Sequence, residues 1–331
     1  MVLEATLVVN GEHLPDIPCE LIEESKWGSL SPLRVIGEGY ETLPEGLELM
    51  WVSVLERKAY RAQIGFDKAV LKELLDTPSP HGRPLFTDLA IAIAHGGKVA
   101  VWLHGALKQT RLYWGAAEEI ALEALFPDDD LQNDSIDQWC DKYLSECSDE
   151  ECSRLNNIDI LPFDRMMAQY CYRLVPLFEH WQPNEEEQWR RHADDEESMP
   201  VVDHIFISRC DGTHHKLADD TLTRHHMAGR PERIAMAWHA GKNEWSAHLW
   251  LDEELTAPIF ERLYGTHRDT RMDMMLHFDP EQRHYELAMF RYGLANPIQL
   301  PQDCWQIIVF KDQFEHYRSE NYDRPTAAWQ W

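Results

Sequence analysis

Histidine is the residue type whose crowding in this chain most suggests chemistry. Five histidines fall within 23 residues, with four aspartates interleaved: His204, His214, His215, His225 and His226, and Asp203, Asp211, Asp219 and Asp220. Imidazoles and carboxylates are common zinc ligands, so a metal site is one interpretation. The spacing disfavours it, because neighbouring histidines on a strand point to opposite faces and none of the spacings puts two imidazoles on one helix face with a carboxylate. We expect polar loop histidines, and neither a metal nor a cofactor.

Paired carboxylates are a second possible source of chemistry, since two of them can act as general acid and base. The chain holds 58 acidic residues, so adjacent pairs occur throughout and none is distinguished from the others. No G-x-S-x-G, H-E-x-x-H or Walker motif is present. The sequence therefore indicates no catalytic residue and favours a protein that is not an enzyme.

The glycine pair Gly96-Gly97 raises the question of phosphate binding. A phosphate loop needs a strand before it and a helix after it, with a lysine in the P-loop form. Here the pair lies between Asp88–Ala94 and Lys98–Leu103, which are both apolar runs of strand length. The pair is instead predicted to be a hairpin turn, because glycine readily takes the positive φ angles of tight turns.

Acidic residues dominate the charge of the 331-residue chain, with 58 Asp and Glu against 31 Lys and Arg and a formal net charge of −27. Such a charge repels nucleic acid and anionic membranes and favours a cationic partner. Residues 118–151 hold thirteen acids and one lysine, and a second acidic run follows at 184–197. The predicted binding surface consists of Asp128, Asp129, Asp130, Asp134, Asp137, Asp141, Glu185, Glu186, Glu187, Asp194, Asp195 and Glu196.

Targeting signals are not evident in the sequence. The N-terminus lacks a basic stretch followed by a long apolar one, and no window of ~18 residues is apolar enough for a membrane span. The seven cysteines are odd in number and form no C-x-x-C pair, which favours reduced thiols over disulfides or zinc. We expect a cytoplasmic protein.

Two segments, 48–75 and 234–264, show a common order of elements. In each, a tryptophan opens a strand, an aromatic residue begins the return strand, and an aspartate follows seven residues later. Those aspartates, Asp67 and Asp252, are suitable helix N-caps because a carboxylate accepts the unpaired N–H groups of a first turn. Each segment therefore predicts a hairpin followed by a helix.

A second hairpin is predicted after each helix, at Leu89–Trp102 and at Met272–Phe290. In both, the second strand continues to a glycine, Gly105 or Gly293. A leucine, Leu112 or Leu300, follows that glycine seven residues further on. Shared order and spacing predict a duplicated unit and an α+β fold of two related antiparallel β-hairpin–helix–β-hairpin modules. Coincidence between two generic hairpins is the alternative.

An acidic helical insert is predicted between the modules. Its helices are expected at Ala117–Phe126, at Ser135–Leu144 after the cap candidate Asp134, and at Asp164–Trp181. The predicted domains are an N-terminal module at 1–115, the insert at 116–198 and a C-terminal module at 199–331.

One set of residues resembles an uncharacterised (DUF-type) bacterial family. It comprises Trp51, Tyr60, Gly96-Gly97, Val99-Ala-Val-Trp-Leu103, Gly105, Lys108 and Gln109. The resemblance covers about residues 45–115. Members of that family are often encoded beside type VI secretion effectors and Rhs-type polymorphic toxins, which implies an immunity role. Many relatives look like lipoproteins, whereas this sequence has no lipobox, which implies a toxin with a cytosolic target.

The function expected from the resemblance and the charge is that of an immunity protein. It would bind one cognate antibacterial toxin domain and block a cationic active-site cleft with its acidic surface. A metal- or carboxylate-dependent hydrolase that reverses a toxin's modification is an alternative, as is a non-enzymatic adaptor or scaffold. The toxin's chemistry, whether nuclease, ADP-ribosyltransferase or another, stays open.

Overall fold

The computed structural model describes residues 2–13, 43–77, 84–105, 107–125, 135–148, 163–178, 200–217, 224–240, 243–279, 284–291 and 296–321. Strands make up 57% of these residues and helices 20%. The predicted α+β class is therefore wrong, because the described chain is mainly β-sheet. It divides into two compact units, Met1–Phe163 (unit 1) and Asp164–Trp331 (unit 2).

Unit 1 contains two antiparallel sets of strands. In chain order its strands are β1 (Val2–Val9), β2 (Glu12–His13), β3 (Gly46–Ser53), β4 (Lys58–Gly65), β5 (Asp88–Ala94), β6 (Lys98–His104), β7 (Lys108–Ala116) and β8 (Glu118–Ile120). The first set has the order β2-β1-β3-β4-β8 and the second the order β7-β6-β5. Apolar residues of both sets share one buried cluster.

The core of unit 1 lies between these two sets. Leu49, Trp51 and Tyr60 from the first set form one buried cluster with Val99 and Val101 from β6. Trp51 and Tyr60 are cross-strand neighbours, and their rings stack with centroids 5.3 Å apart. Such aromatic pairs fix strand register as well as burying apolar area.

Two helices pack on unit 1. Helix α1 (Lys68–Asp76) begins at the predicted cap Asp67, whose carboxylate accepts from the N–H groups of Ala69 and Val70. Helix α2 (Ile136–Glu146) begins at Ser135, which forms a reciprocal capping box with Gln138. The helix predicted at Ser135–Leu144 is thus confirmed, with Ser135 as its cap in place of Asp134.

Unit 2 also contains two sets of strands. They are β9 (Gln169–Phe178), β10 (Val201–Arg209), β11 (His214–Leu217), β12 (His226–Gly229), β13 (Pro231–Ala240), β14 (Asn243–Leu251), β15 (Met272–Asp279), β16 (His284–Arg291), β17 (Ile298–Gln299), β18 (Trp305–Lys311) and β19 (Phe314–Arg318). One set runs β19-β18-β14-β13-β10-β11 and is antiparallel. The other runs β12-β9-β15-β16-β17 and is mixed, since β9 and β15 are parallel.

The described residues of unit 2 contain two α-helices. The short α3 (Phe163–Met166) stands at the division between the units, and α4 (Glu253–Tyr264) follows β14. Helix α4 begins at the predicted cap Asp252, which accepts from the N–H of Leu255. Its buried Phe260 packs against Tyr170 and Tyr172 of β9. The helix therefore helps to close the core of this unit.

The prediction of two hairpin–helix–hairpin modules is wrong. Each predicted hairpin exists locally, but the two hairpins of one module belong to different sets of strands. In unit 1, β3–β4 is completed by β1 and β8, whereas β5–β6 is completed by β7. In unit 2, β13–β14 pairs with β10 and β18, and β15–β16 pairs with β9 and β17. Pairing partners distant in sequence define the sheets.

The prediction of an acidic helical insert at 116–198 is also wrong, because the described part of this segment contains strands as well as helices. The segment Asp164–Trp181, expected to be a helix, contains α3 and then strand β9. Strand β9 pairs with β12 on one side and β15 on the other, so it lies between two neighbours, and its sequence is mainly apolar apart from Gln169 and Arg173. The helix expected at Ala117–Phe126 is replaced by β8 and a 3₁₀ turn over Leu122–Ala124.

Candidate functional site

The predicted acidic surface is only partly described. Asp137 and Asp141 lie on α2. The other ten predicted contact residues lie outside the described residues: Asp128, Asp129, Asp130, Asp134, Glu185, Glu186, Glu187, Asp194, Asp195 and Glu196. The described part of this surface is therefore the outer face of α2.

Helix α2 is held in place by one apolar face. Trp139 and Cys140 are buried in a cluster with Val52, Val54 and Ala59, which belong to the β3–β4 hairpin and its turn. The opposite face carries Asp137 and Asp141, whose side chains are 67% and 66% exposed. Packing of the apolar face therefore directs these two carboxylates to solvent.

Two cations, Arg57 in the β3–β4 turn and Lys58 at the start of β4, pair with carboxylates beside this surface. Arg57, at φ 53°, places Nη1 3.1 Å from Asp137 Oδ1 and Nη2 2.6 Å from Asp141 Oδ1. These hydrogen bonds, first that to Asp141, raise the pKa of Arg57. Lys58 Nζ lies 2.6 Å from Glu119 Oε2 on β8, and this hydrogen bond raises the pKa of Lys58. Both Arg57 and Lys58 are thus paired with carboxylates of the same chain.

The histidine-rich stretch is spread over three strands and a loop end. His204 is on β10, His214 and His215 are on β11, and His226 begins β12 directly after His225. Within the described residues, which omit Asp219 and Asp220, no group of three or more His, Cys, Asp or Glu side chains is placed to hold a metal ion. His225 and His226 instead enter different local networks.

Three charged or titratable side chains meet on neighbouring strands of unit 2. Asp273 on β15 accepts from Arg173 on β9 through both carboxylate oxygens, at 2.8 Å and 3.0 Å. His225 Nε2 lies 2.9 Å from Asp273 Oδ1. Burial is the main cause that lowers the pKa of His225, while Asp273 opposes that shift. In this trio, the Asp273 carboxylate orients the His225 imidazole and also forms an ion pair with the Arg173 guanidinium.

A second network lies at the end of β10. Arg209 donates through Nε to the Tyr172 hydroxyl at 3.3 Å, and its Nη2 lies 3.3 Å from His226 Nε2. Tyr172 in turn donates to the carbonyl of Gly229 at 2.8 Å. The network joins β9, β10 and β12, so it connects the two sets of strands of unit 2.

A third network fixes the start of α4. The fully buried Arg230 pairs with Glu253 in the first turn of that helix and donates to the carbonyl of Arg165 at 2.9 Å. Burial raises the pKa of the neighbouring Cys210 thiol well above its usual range. A carboxylate in a helix's first turn also stabilises the helix dipole, so a structural role accounts for this pair.

Sequence reasoning found none of the three networks. Arg173 and Asp273 are a hundred residues apart, and no local pattern marks them as partners. The single available signal was the crowding of His225 and His226, which was interpreted only in terms of metal ligands.

The comparisons with known proteins bear mainly on unit 1. Residues 11–154 match the family described as Protein of unknown function (DUF2931). The DUF2931 match includes Trp51, Tyr60 and the Gly96-Gly97 turn, so the predicted resemblance to an uncharacterised family holds over this stretch. The DUF2931 description names neither a toxin nor a secretion system.

Two further comparisons found nothing: neither the curated proteins nor the solved structures contain a match to the chain. In the part of the chain that the structure describes, no helix has the length and apolar character needed to cross a membrane.

Proposed function

We propose that this chain is an immunity protein that neutralises a cognate antibacterial toxin domain by direct binding. The surface assigned to the toxin is the acidic outer face of α2, around Asp137 and Asp141. The observation that carries the proposal is the exposure of Asp137 and Asp141 on a helix whose other face is anchored in the core.

The electrostatics of this surface favour a cationic partner. Arg57 and Lys58 are already paired with carboxylates of the same chain. Of the other charged residues on α2, Glu146 is exposed and acidic and Lys142 is the one basic residue. An acidic surface steers a cationic partner during diffusion and raises the association rate at low ionic strength.

The experiment measures binding and protection against a toxin domain encoded beside the gene of this chain. The variant Asp137→Asn with Asp141→Asn removes two exposed carboxylates, and Glu73→Gln with Asp76→Asn removes two exposed carboxylates from α1 as a matched control. We expect the α2 variant to associate up to ~10-fold more slowly at low salt and to protect cells less well. Equal association and protection by both variants would reject the proposed surface.

A hydrolase that reverses a toxin's modification is a second candidate, which the His225–Asp273 pair supports. An imidazole oriented by a carboxylate is an arrangement found in general-base catalysis. His225→Gln would then abolish protection while leaving toxin binding intact. Loss of protection only with α2 variants, together with full protection by His225→Gln, would favour neutralisation by binding.

A further inference from the structure

Strand β5 lies at an edge in unit 1, because β6 is its one strand neighbour among the described residues. Alternate residues of an edge strand point their N–H and C=O groups away from the sheet, where these groups can pair with another strand. The pairing of β5 with β6 runs in unbroken register from Asp88–His104 to Ala94–Lys98. The edge of β5 is therefore a regular template for the addition of a strand.

Both faces of β5 are apolar after its first residue. Leu89, Ile91 and Ile93 pack against the core cluster of unit 1, and the three alanines of the strand lie on its opposite face. Ala90 is buried and the other residues of the strand are half-buried. A strand that is apolar on both faces is typical of the interior of a sheet, where neighbours cover both of its edges. The sequence of β5 thus suits an internal position, although the strand occupies an edge.

Five other strands, β2, β8, β12, β17 and β19, also have one strand neighbour each among the described residues. Strands β2 and β17 have two residues each, and β12 has four. Strand β8 has three residues and begins with Glu118 and Glu119. Strand β19 carries Glu315 and Arg318, and a register shift interrupts its pairing with β18. Short length, charge and bulges prevent association between edges, and the segment 89–94 of β5 has none of these features.

The charge of this edge limits the kind of strand that it can accept. No side chain between Leu89 and Ala94 is charged, so neither a basic nor an acidic strand would gain from charge complementarity there. An uncharged strand with one aliphatic and one small face fits, and β5 is itself such a strand. Antiparallel pairing of two copies about Ile91 would place aliphatic residues beside aliphatic residues and alanines beside alanines.

Repulsion between two copies is small at this edge. In the pairing about Ile91, Asp88 stands opposite the partner's Ala94, so the two Asp88 residues are about 20 Å apart along the strand direction. This separation is more than twice the Debye length of ~8 Å at physiological ionic strength. The net charge of −27 on each copy still opposes association at low ionic strength, and salt should therefore favour pairing.

We propose that two copies of this chain form a symmetric dimer through antiparallel pairing of their β5 strands. A two-fold axis makes such an interface self-complementary, because each copy presents the same edge to the other. Pairing of two short strands covers less area than the ~1,600 Å² of a standard interface. We therefore expect a reversible dimer with a dissociation constant of about 1–100 µM.

Sedimentation equilibrium of the full chain, from about 1 µM to about 500 µM, tests the proposal. The dimer fraction should increase as salt rises from ~0.05 M to ~0.5 M, since salt screens the net negative charge. Ala92→Lys places a charge in the middle of the edge and should weaken dimerisation by about tenfold or more. Phe314→Lys changes a residue that is 79% exposed on the edge strand β19 and is the matched control, which should dimerise as wild type does.

Hydrogen exchange on the wild-type chain covers the case in which Ala92→Lys does not fold. Alternate backbone amides of the segment 89–94 should exchange more slowly at high than at low protein concentration, because the dimer pairs them. A monomer at every concentration, wild-type dimerisation of Ala92→Lys, equal weakening by Phe314→Lys, or exchange independent of concentration would each overturn the proposal. A monomeric chain whose association with the co-encoded toxin domain is abolished by Ala92→Lys would also overturn it, and would assign this edge to the toxin.

Discussion

Gly97 lies directly under the ring of Tyr60: a side-chain carbon on Gly97 would stand 2.7 Å from Tyr60 Cε1. The turn that contains Gly97 is thereby pressed against the opposite set of strands in unit 1. Glu56 reinforces the contact by accepting from the N–H of Gly96 at 2.8 Å and from the Tyr60 hydroxyl at 3.2 Å. The glycine pair therefore reverses the chain and also allows the turn to pack closely against Tyr60.

Substitution at the two glycines should separate these roles. Gly96→Ala introduces only an unfavourable left-handed conformation, because nothing lies within 4 Å of the added carbon, and should destabilise by about 1 kcal/mol. Gly97→Ala adds a clash with a ring held by Trp51 and should destabilise by about 3 kcal/mol in total. Urea unfolding measures both, and equal effects would contradict the close contact.

Charge reversal on α2 should lower the melting temperature. Asp137→Lys with Asp141→Lys places two cations beside Arg57, so attraction is replaced by repulsion. Adding Arg57→Glu restores opposite charges and should return the melting temperature towards the wild-type value. A double reversal that is more stable than wild type would mean that repulsion among the acids outweighs the Arg57 contacts.

The Arg173–Asp273–His225 trio predicts two pKa changes of opposite sign. Asp273 raises the pKa of His225 and Arg173 lowers it. Asp273→Asn should therefore lower the His225 pKa further, and Arg173→Met should raise it, as followed by NMR titration. Asp273→Asn should also destabilise by about 3 kcal/mol, because it leaves Arg173 without its carboxylate. Changes of the same sign in the two variants would contradict the geometry.

His248 predicts a loss of stability in mild acid. Its ring is buried, and burial, followed by the charge of Arg233, lowers its pKa from 6.5 to about 4. Between about pH 6.5 and 4, His248 is protonated in the unfolded state but still neutral in the folded state. Its contribution to the free energy of unfolding is therefore fully present above about pH 6.5 and is lost as the pH falls towards 4. The decrease from this residue should approach about 3 kcal/mol.

The measurement for His248 is chemical denaturation across that pH range. His248→Gln cannot titrate there and should show a shallower fall in the free energy of unfolding. Other histidines with lowered pKa values, such as His204 and His226, keep part of the slope in both proteins. An unchanged slope in His248→Gln would show that folding does not lower the pKa of this ring.

Local features of the fold could be predicted from the sequence. The Gly96-Gly97 hairpin and the caps Asp67 and Asp252 are confirmed, because turns and caps depend on neighbouring residues. The sheets could not be predicted, since the hairpins β3–β4, β13–β14 and β15–β16 are each completed by at least one strand distant in sequence. The segment Gln169–Phe178 shows why: its apolar run suits a helix or a buried strand equally, and only β12 and β15 decide between them.

In the candidate sites, too, local features could be predicted from the sequence, whereas contacts between residues distant in sequence could not. Composition indicated an acidic surface, and its described members Asp137 and Asp141 are exposed. Their pairing with Arg57 could not be predicted, because eighty or more residues separate the partners. The contacts of Arg209 with Tyr172 and His226 were equally inaccessible, since they depend on which side chains three strands bring together.

The central position of β9 has a consequence for biosynthesis. This strand is made early in unit 2, yet its partners β12 and β15 lie about fifty and a hundred residues further along the chain. Non-local pairings of this kind form slowly. Until its partner strands are synthesised, an apolar strand with unpaired edges can associate with other chains. A nascent chain that stalls before Met272 should therefore depend on chaperones, whereas the local hairpins of unit 1 have already been synthesised.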